Sequence, residues 1–262
     1  MSFTVTNRQG RHLSVSKYGP EHAPVIVLSN SLGTDQQMWQ AQVEVLAQNY
    51  QVITYDTRGH GQSEVIAASS LKNLAEDVID ILDQLQLKHV HFCGISMGGI
   101  TALYLGIHHA ERFLSITVAN SGAKIWTTEG WNSRADDVSA NGLTDIVAST
   151  HTRWFSDHFD YQNSAVAQRT IQSLATTSAA GYAESCRALA HADLREELQQ
   201  ISIPTLIIAG QNDPVTTIAD AQLMQQKIPL SELVVLDASH LSNIEQADKF
   251  TQALSQFIAS IQ

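Results

Sequence analysis

Two kinds of hydrophobic pattern alternate along this chain. Residues 3–6 and 12–16 switch between apolar and polar at every step, on either side of the turn-forming stretch Asn7-Arg8-Gln9-Gly10, which predicts a hairpin. From Pro24 onward the pattern becomes short, mostly apolar runs without strict alternation, continuous at 24–28 and similar at 51–55, 90–93, 114–119, 205–209 and 233–236. Runs of that length predict strands covered on both faces. Helical spacing fills the intervals at 36–48, 71–85, 98–108, 218–228 and 247–261. In the second of these, Leu71, Leu74, Ala75, Val78, Ile79, Leu82 and Leu85 recur at three and four. Glu76, Asp77, Asp80 and Asp83 are read as the opposite, solvated face.

Strands alternating with helices imply the α/β class, with a mostly parallel central sheet flanked by helices. The alternation is interrupted once, between about residues 121 and 201, where the pattern is helical at 136–148, 151–158, 164–174 and 182–192. We read residues 1–120 and 201–262 as the core and 121–200 as an inserted helical cap. No repeat, low-complexity tract or Pro-rich linker separates the two, so they are expected to pack as one unit.

Composition narrows the class of partner. The 262 residues carry 15 Lys+Arg against 26 Asp+Glu, a formal charge of −11, and 44% are hydrophobic. A chain of this balance is globular rather than disordered. Its acidity argues against nucleic acid and against anionic lipid surfaces, both of which call for a basic patch. Two cysteines, Cys93 and Cys186, make no disulfide framework, so a reducing compartment is the default. The N-terminus has no cationic start followed by an apolar stretch, and no apolar run approaches a membrane span, so a cytoplasmic protein is expected. No exposed apolar helix face stands out; the oligomeric state is left open, and a monomer is compatible with the pattern.

The strongest chemical signal is Gly94-Ile-Ser-Met-Gly-Gly99, directly after one apolar run and directly before a helix. G-x-S-x-G between strand and helix is the nucleophile elbow, whose glycines permit a sharp turn that lifts Ser96 above the sheet edge. The plainer reading, a Gly-rich turn with an incidental serine, fits the five residues alone but not their flanks. A serine needs a base, and the base an orienting acid. Asp213 follows the run at 205–209 and His240 follows the run at 233–236, so Ser, Asp and His come in the chain order that this elbow uses. Asp237 competes for the acid role, but a side chain so close to His240 on the same strand end more often satisfies local backbone. The oxyanion donors are expected to be the N–H groups of Met97 and of Leu32, the latter in the loop Leu28-Ser-Asn-Ser-Leu-Gly-Thr34. Losing one such donor costs roughly 3–4 kcal/mol of transition-state stabilisation.

Other eye-catching residues take plainer roles. Eleven histidines invite a metal, yet no H-E-x-x-H or C-x-x-C occurs, and no metal or cofactor is expected. Cys93 reads as a small buried hydrophobe. In Asp56-Thr-Arg-Gly-His-Gly61, Arg58, with Ser63 just beyond, is assigned to bracing the loop and His60 to packing.

Together these residues resemble the α/β-hydrolase superfamily, over nearly the whole chain. Within it, Asn30-Ser31, Arg153-Trp-Phe155 and Ala238-Ser-His-Leu-Ser-Asn-Ile-Glu245 are similar to the enol-lactonases of aromatic-acid degradation. Position 97, often Leu in that family, is Met here, which leaves the backbone donor intact. The resemblance implies a small anionic substrate, a five-membered enol lactone bearing a carboxymethyl arm, opened by water without a cofactor. A carboxylate entering an acidic protein needs a local cation, preferably a forked guanidinium. Arg153 is the candidate, with Trp154 as an apolar wall; Arg134, near Trp131, is the alternative clamp. The competing readings are a general carboxylesterase or perhydrolase-like enzyme and, from another class, a small-molecule receptor on a hydrolase scaffold. A haloalkane dehalogenase is disfavoured because its nucleophile would be Asp, where position 96 is Ser.

Overall fold

The computed structural model describes residues 1–261. Eight strands make one sheet: β1 (Ser2–Thr6), β2 (His12–Tyr18), β3 (Val25–Ser29), β4 (Gln51–Tyr55), β5 (Val90–Ile95), β6 (Phe113–Ala119), β7 (Thr205–Gly210) and β8 (Ser231–Leu236). Their spatial order is β1-β2-β4-β3-β5-β6-β7-β8. The first hairpin and the β2/β4 pair are antiparallel, and the pairs from β4 to β8 are parallel. Every residue of β4, β5 and β7 is buried, including the polar Gln51, Thr54 and His91, whereas β1 buries only Val5 fully.

Ten α-helices are described: α1 (Gln40–Leu46), α2 (Leu71–Gln84), α3 (Met97–His108), α4 (Thr128–Asn141), α5 (Thr144–Trp154), α6 (Ala165–Thr176), α7 (Ala179–Ala190), α8 (Ile218–Lys227), α9 (Ser242–Glu245) and α10 (Ala247–Ser260). The helix expected over 36–48 is divided. Asp35 caps a 3₁₀ turn over Gln36–Trp39, and the α-helix begins only at Gln40.

Four helices, α4 to α7, lie between β6 and β7, and two of the expected spans there are wrong. Segment 136–148 is cut by Gly142, whose φ of 79° ends α4. The Thr127 side chain accepts from the Gly130 N–H and starts that helix earlier, at Thr128. The span 151–158 is not a helix of its own: His151 to Trp154 close α5, and the chain beyond is irregular. The insert leaves and returns at one point, where the Leu194 N–H donates to the Ala123 carbonyl at 2.8 Å and Lys124 pairs with Asp193 at 3.3 Å.

Asp77 also departs from its expected place on the solvated face of α2. It is only 2% exposed. Its carboxylate accepts from Arg58 Nε at 2.6 Å, Arg58 Nη2 at 2.7 Å and Asn7 Nδ2 at 2.7 Å, joining three separate segments. Spacing accounts for this, since Asp77 stands three residues after Leu74 and four before Ile81, inside the apolar stripe. Arg58 does brace its loop, with Ser63 donating to the Asp56 carbonyl, and His60 is buried.

No described helix is long and apolar enough to cross a membrane.

Candidate active site

Chain direction reverses about β3. The chain passes from β3 to β4 on one side and later resumes with β5 on the other, so the loops after β3 and β5 flank a crevice at the carboxyl end of the sheet. Strands β5, β7 and β8 all run parallel, which brings their following loops to that same edge.

Ser96 sits at the turn from β5 into α3 with φ 56° and ψ −111°, a strained conformation for a residue with a side chain. The turn is tight enough to exclude Cβ atoms on either side. One added at Gly94 would lie 2.0 Å from the Gly98 carbonyl oxygen, and one at Gly98 would lie 2.4 Å from the Ser29 carbonyl oxygen. The strain is held by bonds on both sides of the residue: the Ser96 N–H donates to the Ala119 carbonyl at 2.9 Å, and Ser121 Oγ donates to the Ser96 carbonyl at 2.8 Å.

His240 Nε2 lies 2.8 Å from Ser96 Oγ, and His240 Nδ1 lies 2.8 Å from Asp213 Oδ2. Burial alone would raise the Asp213 carboxyl. The His240 charge, its hydrogen bond, and donors from Asn120 and Thr216 outweigh that and bring it down to about 2. An ionised carboxylate only accepts, so the Nδ1 proton belongs to His240 and Nε2 is left to accept from the serine hydroxyl. Asp213 is itself fixed by the N–H groups of Val215 at 2.8 Å and Thr216 at 3.1 Å, and by Thr216 Oγ1 at 2.8 Å. Asp237 points elsewhere: it is exposed and accepts from Asn212 Nδ2 at 2.9 Å.

Sequence reasoning missed Asn120. It occupies the first position after β6 with φ 42°, and its Nδ2 donates to both Asp213 Oδ2 and the Ser239 carbonyl at 3.0 Å. One amide therefore spans the acid loop and the histidine loop. Its signal was position, a polar residue at the carboxyl end of the strand between the serine and acid strands, where ligand-facing groups collect.

Leu32 and Ser96 line a cavity of about 190 Å³, together with Trp131, Arg134, Arg153, Trp154, Tyr182 and His240 among others. That volume is enough for a small-ring ester. Among the described residues, neither the Leu32 nor the Met97 N–H has an acceptor inside the protein. The Met97 N–H belongs to the first turn of α3, whose partial positive end adds to it. Leu32, Ser96, Arg134, Arg153, Trp154 and His240 thus line one cavity, with Asp213 behind the histidine and Met97 next to Ser96 at the start of α3.

The cavity is cationic on the side of α4 and α5 although the protein is acidic. Arg134 lies against two indoles, its guanidinium carbon 4.8 Å from the Trp126 ring centre and 5.2 Å from that of Trp131. Arg153 donates to Ser149 Oγ at 3.3 Å. Neither forms an ion pair among the described residues. Burial, with the nearby Arg134 charge, lowers the Arg153 pKa from its usual value. A guanidinium so placed keeps its charge and remains open to an incoming anion.

The alpha/beta hydrolase fold profile matches residues 24–247. The chain is 66% identical over 261 residues to 3-oxoadipate enol-lactonase 1 of Acinetobacter baylyi, covering 100% of this chain and 98% of that protein. It is 46% identical over 243 residues to 3-oxoadipate enol-lactonase 2 of the same organism, covering 92% and 91%. A crystal structure of the enol-lactonase from Burkholderia xenovorans LB400 superposes with a TM-score of 0.95 at 37% identity, covering 98% of this chain and 100% of that one.

Proposed function

The chain belongs to the alpha/beta hydrolase fold family, and on that premise we propose that it opens the ring of 3-oxoadipate enol-lactone with water, giving 3-oxoadipate, in the β-ketoadipate route of aromatic-compound degradation. The observation that carries this reading is 66% identity along the whole chain to a lactonase of that name. Two arginines without acidic partners among the described residues, lining the same cavity as Ser96, support an anionic substrate.

Ser96 Oγ gives its proton to His240 Nε2 and attacks the lactone carbonyl. The oxyanion receives the Leu32 and Met97 N–H groups, which have no other acceptor among the described residues. Collapse breaks the ring C–O bond, and the departing enol oxygen takes the proton back from His240 before tautomerising to the ketone. Because the leaving group is part of the ring, it stays attached to the acyl group, and Ser96 carries the whole opened chain. His240 then takes a proton from water, the resulting hydroxyl attacks the acyl carbon, and Ser96 Oγ leaves reprotonated. Asp213 holds the imidazole and offsets its charge in each half. Arg153, with Trp154 against the ring, receives the carboxymethyl carboxylate, and Arg134 faces it as the second cation.

The test is steady-state hydrolysis of the enol lactone, followed by loss of its ultraviolet absorbance, with p-nitrophenyl acetate as comparator and Ser96→Ala as control. Fast lactone turnover, weak ester turnover and an inactive variant are expected. Ester turnover without lactone turnover refutes the substrate and leaves a general esterase.

A further inference from the structure

The segment that carries the anion-binding residues is fastened to the loop that carries the base. Ser239 Oγ donates to the Arg153 carbonyl at 3.2 Å, and the Leu241 N–H donates to the Trp154 carbonyl at 3.0 Å. These two bonds flank His240 in sequence. Glu245 completes the connection from both ends. Its Oε2 accepts from the Ser239 N–H at 2.9 Å and from the Ser156 N–H at 3.1 Å, and its Oε1 accepts from Ser156 Oγ. One carboxylate thus holds the residue before the histidine and the residue two past Trp154. Glu245 forms no ion pair among the described residues, and it is half-buried, so these donors are its partners.

We propose that Glu245 is a positioning residue that sets Arg153 and Trp154 against the reacting atoms by clamping their segment to the His240 loop. Two features support it. The donors come from two parts of the chain far apart in sequence, one at the end of a cap helix and one after β8, so the carboxylate adds little to either element alone. Arg153 and Trp154 stand in the last turn of α5 and the chain beyond is irregular, so no continuing helix anchors that end of α5. Without the carboxylate, Arg153 keeps its charge but loses its fixed distance from Ser96. Binding of an anionic substrate suffers, while a neutral ester meets the same serine and histidine. The proposal rests on the reading that Arg153 receives the substrate carboxylate.

The experiment measures kcat and KM on the enol lactone and on p-nitrophenyl acetate for Glu245→Ala, Glu245→Gln, Arg153→Ala and the double variant Glu245→Ala/Arg153→Ala. Glu245→Ala is expected to raise KM for the lactone about tenfold, the scale of lost hydrogen bonds to a charged group. Its kcat and its ester parameters should stay within about twofold of the parent. Glu245→Gln, which keeps an acceptor oxygen, should fall between. The double variant should be no worse than Arg153→Ala alone, because the two residues act through one contact. Ser156→Ala removes one donor without disturbing the loop, gives a smaller rise in lactone KM, and stands in if Glu245→Ala does not fold. Equal losses on both substrates, or additive effects in the double variant, overturn the proposal while Arg153→Ala still selects between substrates. If Arg153→Ala itself leaves lactone KM unchanged, the anion-binding reading fails and takes the proposal with it.

Discussion

Replacing Asp77 by Asn tests the internal electrostatics of the fold without touching the site. The side chains of Arg58 and Asp77 are 2% and 3% exposed. In the variant, the amide presents an N–H₂ where donors from Arg58 and Asn7 converge, and the guanidinium charge is left buried without a counter-charge. Arg58 Nη1 already lacks a partner, so the group has no second acceptor to turn to beyond the Asn73 carbonyl, 3.2 Å from Nη2. Breaking one side of a buried pair costs about 3–5 kcal/mol, far above the roughly 0–1 kcal/mol of an exposed pair. For a chain of this size that lowers the melting temperature by roughly 10 °C. Urea unfolding followed by circular dichroism gives the free energy, and ester turnover at low temperature should stay near the parent value, since neither side chain lines the cavity. Arg58→Met/Asp77→Leu, which removes both charges, should recover most of the loss. A loss below about 1 kcal/mol for Asp77→Asn, or no recovery in the double variant, refutes the reasoning.

Three further outcomes are expected. Asn120→Gly tolerates the positive φ while deleting the amide that joins the two loops; kcat should fall about ten- to a hundredfold on lactone and ester alike with KM kept, and a change confined to KM contradicts the role. Asp213 is held at about 2, below its ordinary 3.8, so its contribution of roughly 2 kcal/mol is present above pH 4 and is lost as pH falls toward 2. Unfolding profiles of the parent and Asp213→Asn should converge over that range, and parallel profiles exclude this group as the source. Gly98→Ala forces a methyl onto the Ser29 carbonyl, a backbone atom that cannot yield cheaply, and should abolish soluble expression or cost several kcal/mol. Normal yield and stability count against the tight turn.

The core strands were legible because a strand buried on both faces has no reason to alternate, and the runs at 51–55 and 205–209 match β4 and β7 almost to the residue. Ser96, Asp213 and His240 were legible for a related reason: each follows such a run, and parallel strands deliver their ends to one edge. The cap was harder. Three of its four helices, α4 to α6, bury only two or three residues each, Trp131, Ala135 and Val138 in α4, so their periodicity is faint and their boundaries depend on a cap residue such as Thr127 and a stop such as Gly142. Asp77 was misread because charge was given more weight than its spacing from Leu74 and Ile81. Glu245 fell within a segment singled out for resemblance, but its partner Ser156 lies 89 residues away, and no local pattern records such a pairing.

The single neck at Ala123 and Leu194 makes the insert look like a cassette that recombination could lift from one relative and set into another. Its cargo would include Arg134, Arg153 and Trp154, the residues proposed here to choose the substrate. The half of their clamp formed by Ser239, Leu241 and Glu245, however, stays behind on the recipient, parted from Ser156. A transplanted cassette would therefore arrive with its pocket chemistry intact and its seating undefined.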